Sequence, residues 1–178
     1  MNIWIIVAAM GLVIVWVIAT SNRIKTLSVK VDEAGSGIDV ALTKRYDTLT
    51  KMMDTVKAHR RHERDTIVEI VNLRTGMSTA EKIEANQCMD EIMKQINVAV
   101  EAYPELRSAE SYVRFKIAIA DVEAHLQAAR RLYNANVSAF NRAIVVFPAS
   151  VVARACGHGP KEFFEAEISK RGDVKIAL

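Results

Sequence analysis

Hydrophobic positions are distributed along this chain in two ways. From Ile3 to Ala19 they are continuous: IWIIVAAMGLVIVWVIA contains no charged, amide or hydroxyl side chain. At about 1.5 Å per residue, a helix over that run spans about 25 Å. That is at the short end of what crosses a ~30 Å hydrocarbon core, and Thr20 and Ser21 supply the missing turn. Core helices of soluble proteins seldom stay apolar on every face for so long, and Trp4 and Trp16, near the two ends, suit the interfacial belts of a bilayer. Ala19-Thr20-Ser21 would serve as a small-residue signal-cleavage site, but only Met1 and Asn2 precede the run, and the basic segment of a signal peptide is missing. Residues 1–22 are therefore expected to form a transmembrane anchor.

Beyond the anchor the pattern becomes periodic. Residues 23–37 are amphipathic and carry Gly35-Ser36-Gly37, read either as a flexible juxtamembrane joint or as a weak point in a continuous helix. From Ile38 a stripe advances by four and three through Leu42, Tyr46, Leu49, Met53, Val56, Arg60, Glu63, Ile67 and Ile70, which predicts a helix running to about Thr75 and stopping at Gly76. Ser78-Thr79-Ala80-Glu81 has the form of a capping box and opens a second helix, with Ala85, Met89, Ile92, Ile96, Ala99 and Tyr103 on its stripe and Pro104 as its stop. A third stripe runs from Tyr112 through Phe115, Ile119, Val122, Leu126, Ala129, Tyr133, Val137, Phe140 and Ile144 to Phe147, before Pro148. A short turn over Ala149–Ala155 should end at Gly157, and a last short helix is expected over Lys161–Ser169. Residues 171–178 show no pattern and are expected to be mobile.

These elements predict an all-α protein: a transmembrane helix followed by an antiparallel bundle of three long helices over residues 38–170, with short C-terminal helices. The first and third helices would be roughly 57 to 60 Å long and the second about 38 Å. One short helix cannot cover two long stripes. The uncovered apolar surface is left either for Phe147, Val151, Val152, Phe163 and Phe164 to fold back on, or for another subunit.

Charge changes the picture only near the anchor. The net charge of +3 comes from interspersed residues of both signs, so the basic stripe that nucleic-acid binding needs is missing. Arg23, Lys25 and Lys30 follow the apolar run and no Lys or Arg precedes it, which places the bulk of the chain in the cytoplasm with the N-terminus outside. Cys88 and Cys156 are far apart and form no CxxC, as expected in a reducing compartment.

Candidate chemistry is sparse. Arg60 and Glu63 interrupt the first stripe, and with His59 and His62 they raise the idea of a metal site built from His59, His62 and Glu63. HRRHE is neither HExxH nor HxxEH and no further ligand is identifiable, so a solvated bundle end or a charge pair to another helix is the better account. Asp39, Lys44, Arg45 and Asp47 on the first helix, with Arg130, Asn134 and Asn141 on the third, read as a polar network fixing helix register or as a partner surface. Tyr103-Pro104 and Phe147-Pro148 read as aromatic packing at helix ends. Cys156-Gly157-His158-Gly159 lacks the second ligand pair of a metal site, and the sequence has no phosphate loop or nucleophile elbow.

Several segments resemble the LemA proteins of bacterial membranes: the apolar N-terminal helix, VDEAGSGIDVALTKRYD at 31–47, VKAHRRHE at 56–63, EAYPEL at 101–106, ARRLYNANVSAFN at 129–141, FP at 147–148 and FFEAE at 163–167. They occur in the family's order over nearly the whole chain. The resemblance implies an anchored antiparallel helical bundle and a family without an established activity or agreed catalytic residues. The chain departs from the family at Gly35, where a Trp is usual, and over Thr48–Met53, where a proline-containing segment is usual.

The reading that follows is a non-enzymatic, membrane-anchored interaction or scaffold module, held in the lipid bilayer through Ile3, Trp4, Trp16 and Ala19. It would associate with itself or with another membrane-associated protein, without cofactor or metal. The alternatives are an oligomer that shapes the membrane and a membrane-bound metal enzyme using the two histidines and Glu63.

Overall fold

A computed structural model describes residues 2–59, 77–103, 105 and 109–164. Among the described residues there are four helices and no strand: α1 (Asn2–His59), α2 (Thr79–Ala102), α3 (Glu110–Val145) and α4 (Ala149–Ala155). The end of the first stripe (Arg60, Glu63, Ile67, Ile70), the stop at Gly76, Pro104, residues 165–169 of the last expected helix and the tail lie outside the described residues. Residues 161–164 are not helical.

The chain divides into two compact units, and α1 and α3 contribute to both. The first comprises Met1–Gly37 and Arg130–Phe163, the second Ile38–Ala129 and Phe164–Leu178.

In the first unit, α1 and α3 are antiparallel. Lys30 meets Asn136, and Gly35 lies 3.7 Å, measured from an added Cβ, from the Tyr133 ring, so the numbers rise on one helix as they fall on the other. Residues 23–37 are helical throughout, so Gly35-Ser36-Gly37 is a weak point within a helix and not a break. The Ser36 hydroxyl is absorbed by donating to the Asp32 carbonyl oxygen one turn back. Ile24, Val31 and Ala34 are buried, extending the stripe of α1 toward the N-terminus, and they share this unit's core with Val137, Phe140, Ile144, Val152 and Ala153. Each such large side chain removed from water contributes roughly 1.5 to 3 kcal/mol.

The third stripe ends at Ile144. Phe147, outside α3, is 78% exposed, so the expected helix-end packing of this aromatic is corrected; Tyr103 is 38% exposed at the end of α2. Pro148 cannot continue the ladder, and α4 leaves α3 at 97°. At the far end of α4, Gly157 takes φ +73, the Gly157 amide donates to the Arg154 oxygen and the His158 amide donates to the Ala153 oxygen. This is a Schellman close, which requires a left-handed residue and explains the glycine.

The second unit is a three-helix core of Leu49, Met52, Met53 and Val56 from α1, Met89, Ile96, Ala99 and Val100 from α2, and Ile119 from α3, flanked by Tyr46, Ile92, Met93, Tyr112 and Phe115. The capping box of α2 is present, with the Glu81 amide donating to Ser78 Oγ at 3.2 Å and the Ser78 amide donating to Glu81 Oε2 at 2.7 Å. Asp39 pairs with Lys82, and Arg45 with Asn86 and Asp90. The paired positions rise together, so α2 runs alongside α1 in the same direction.

Of the C-terminal apolar residues expected to fold back, Val152 and Phe164 are buried, whereas Phe147, Val151 and Phe163 are exposed.

Candidate functional site

Three features concentrate the chemistry of the chain: two polar junctions and one uncovered apolar helix.

The junction in the second unit is built on Arg45. This residue sits one position before Tyr46, so α1 carries its guanidinium to the edge of the apolar stripe, where only 3% of the residue remains exposed. Its Nη1 donates to the Asn86 carbonyl oxygen (3.1 Å) and to Asn86 Oδ1 (2.6 Å). Its Nη2 lies 2.6 Å from both Asp90 Oδ1 on α2 and Glu123 Oε1 on α3. Nε is buried without a hydrogen-bond partner among the described residues. A buried cation with two carboxylates adds little over a well-packed apolar cluster, but any slide of one helix past another strands the charge. The junction therefore ties three helices through one side chain. Asp39 adds a second pairing, to Lys82 at 2.6 Å, at a more exposed position.

The junction in the first unit is built on Asn141, one position after Phe140. Its Nδ2 donates to the Lys161 carbonyl oxygen and its Oδ1 accepts from the Lys161 amide, both at 2.8 Å. One side-chain amide thus pairs with the main chain as a neighbouring strand would. Lys161 then reaches α1, where Nζ meets Asp32 Oδ1 at 2.6 Å and donates to the Ser28 oxygen at 3.5 Å, lying 5.5 Å from the Phe140 ring centroid. The Tyr133 hydroxyl donates to the Glu162 carbonyl oxygen at 3.2 Å. The non-helical segment after α4 is fastened across α1 and α3 by these contacts.

Arg130 and Asn134 are half-buried on α3, and Lys44 and Asp47 are exposed on α1. The structure brings Arg45 and Asn141 into junctions of different units, not into one network. Their partners Asn86, Asp90, Glu123 and Lys161 escape a reading based on stripes alone. A signal exists: Asn86, Asp90, Glu123 and Asn141 each follow a stripe residue (Ala85, Met89, Val122, Phe140) by one position.

Of the candidate metal residues, His59 ends α1, whereas His62 and Glu63 lie outside the described residues. Among the described residues, no three His, Cys, Asp or Glu side chains gather as a metal site would need. Cys156 and His158 diverge: Cys156 Sγ lies 3.9 Å from Ser21 Oγ, and the His158 ring meets Phe140 edge-on at 6.1 Å between centroids.

The third feature is the start of α1. Ile3, Trp4 and every large apolar residue on to Ile18 are exposed, Trp16 at 41%, and Ala19 is exposed as well. This helix is long and apolar enough to cross a membrane, and none of its most apolar stretch is covered by protein.

With the helices and their junctions placed, comparison with known proteins gives a family model described as LemA family that matches residues 34–178. The chain belongs to the LemA family. It is also similar to a protein named Protein LemA from Metamycoplasma hominis, with 28% identity over 150 residues that cover 82% of this chain and 68% of that protein. Arg45 and Asn141 of this LemA-family chain, with Asn86, Asp90, Glu123 and Lys161, fall within the matched span, whereas Ser28 and Asp32, which Lys161 reaches, precede it. The exposed apolar run precedes it.

Proposed function

We propose that this LemA-family chain is a membrane-anchored helical interaction module that works by holding a helical surface at the cytoplasmic face of a bacterial membrane, and that it is not an enzyme. The observation that carries this reading is the uncovered apolar start of α1. A row of exposed Ile, Val, Leu and Trp side chains this long is costly in water and at ease in hydrocarbon. The helix continues without interruption into the packed part of the chain. The polar junctions support the non-catalytic part of the reading, since Arg45 Nη1 and Nη2 and both polar atoms of the Asn141 side chain are taken up by protein groups. Val113 and Ile117, one turn apart on α3 and both exposed, offer the kind of face that a second helix covers. The partner is a second copy or another membrane-associated protein.

Chemical crosslinking in native membranes, read by mass spectrometry, tests the reading. Links from Lys51 or Lys116 to the same sites of another copy, or to a different membrane protein, are expected. An absence of intermolecular links at native expression overturns it. Orientation is tested at Cys156, which is exposed whereas Cys88 is half-buried. An impermeant maleimide should label Cys156 only after the cells are opened.

A further inference from the structure

The corner between α3 and α4 is left unexplained by the anchor and by the junctions. Val145, Val146, Phe147 and Val151 are between 55% and 78% exposed there, in four of seven successive positions. Single exposed apolar residues are ordinary, but a contiguous group on a turn is not.

Its place in the first unit says what covers it. Cys156, just past α4, touches Ser21, two residues beyond the end of the apolar run. Because α1 and α3 are antiparallel, with Lys30 beside Asn136, the C-terminal end of α3 returns to the level at which the run of α1 ends. The 97° bend turns α4 across that direction. A helix lying across a transmembrane axis lies along the membrane surface. Val152 and Ala153 of α4 face the protein and are buried, while Val151 is turned outward.

Charge points the same way. The first unit carries eight Lys and Arg against three Asp and Glu (Asp32, Glu33, Glu162), and Lys161 engages Asp32. No acidic residue precedes Asp32, and none lies between Glu123 and Glu162. Arg23, Lys25, Arg142 and Arg154 are exposed around the corner. Apolar side chains rimmed by cations without acids match the boundary between acyl chains and anionic headgroups.

We propose that the α3–α4 corner is a second membrane contact, in which Val145, Val146, Phe147 and Val151 enter the interface of the bilayer that α1 crosses. The contact rests on the anchor reading. It holds the first unit against the membrane, where the anchor alone would leave it free to tilt.

The full-length protein is reconstituted into phosphatidylcholine–phosphatidylglycerol vesicles containing lipids brominated at shallow or deep acyl positions. The native Trp4 and Trp16 report on the anchor. With both replaced by Phe, Phe147→Trp reports on the corner, and Leu132→Trp, exposed on α3 about 20 Å further from the corner along the helix, serves as reference. Quenching of Phe147→Trp by shallow bromines at least twofold stronger than that of Leu132→Trp is expected, with blue-shifted emission. Quenched Trp16 with an unquenched Phe147→Trp overturns the second contact and leaves the anchor standing. A blue-shifted but unquenched Phe147→Trp assigns the corner to a protein partner and also overturns it. Equal quenching of Leu132→Trp overturns it as well, because the whole unit then lies in lipid. Unquenched Trp4 and Trp16 overturn the anchor itself. Val151→Trp repeats the test at a second site should the Phe147 variant lose its helical circular dichroism.

Discussion

Arg45 and Asn141 sit in equivalent sequence settings, each beside a buried aromatic or apolar stripe, yet they hold their units together by different physics. Arg45 brings a full charge into a place with 3% exposure and depends on two carboxylates from two helices. Asn141 is neutral, faces main chain instead of side chains, and pairs both of its polar atoms with a single residue. A charged junction penalises misregister among helices that could otherwise slide. A neutral amide fastens a segment that has no helix of its own. A position flanking a stripe serves both tasks, and the partner decides which.

The comparison can be broken most forcefully at Phe140, which is 1% exposed under the Asn141 junction and meets both the His158 ring and Lys161. Phe140→Ala should cost about 4 kcal/mol by chemical denaturation of the detergent-solubilised chain. Loss of amide-exchange protection should begin in residues 130–163. Protection lost first in α2 would sink the division into two separately fastened units.

Next in size is the neutralising double change Asp90→Asn with Glu123→Gln. It keeps acceptor oxygens near Arg45 but removes both counter-charges, and should cost about 3 kcal/mol in the same assay. Arg45→Met should cost less, because the carboxylates left behind are 30% and 38% exposed and can take water. If Arg45→Met proved the more damaging, packing of the stem and not charge would be the junction's basis.

Asn141→Leu leaves the Lys161 amide and carbonyl without their partner and should cost about 2 kcal/mol. Exchange at residues 158–163 should rise by one to two orders of magnitude while α2 is unchanged. The smallest effect is a gain. Gly37 lies in an uninterrupted helix with open space around an added Cβ, so Gly37→Ala should stabilise by about 0.5 to 1 kcal/mol. A loss in that measurement would show that the bend freedom of glycine is needed at this point.

Much of this could be read from residue order because it depends on local spacing. The box at Ser78 and Glu81 closes within one turn, the stop at Pro148 acts through its own ring, and the stripes from Ile38 and Ala85 report which face is buried. The all-α class and the family resemblance followed from the same information. Arg45 and Asn141 stood out because polar residues beside an apolar stripe need a reason. Their partners did not, since Asn86, Asp90 and Glu123 are brought to Arg45 by helix–helix register, and Lys161 is brought to Asn141 by the path of the chain after Gly157. The helical state of Gly35-Ser36-Gly37 was equally undecided by propensity, because two glycines weaken a helix by an amount that packing of Ile24, Val31 and Ala34 offsets.

The sequence by itself determined that this chain begins with an apolar helix and continues as long amphipathic helices, because hydrophobic periodicity and capping are properties of neighbouring residues. Only the tertiary structure decided that α2 runs in the same direction as α1, that Arg45 serves three helices, that Asn141 fastens a non-helical segment, and that Phe147 is left outside the core beside the end of the apolar run. Those outcomes depend on pairings between residues 20 to 135 positions apart, and a pattern of local spacing carries no information about which distant surface will meet which.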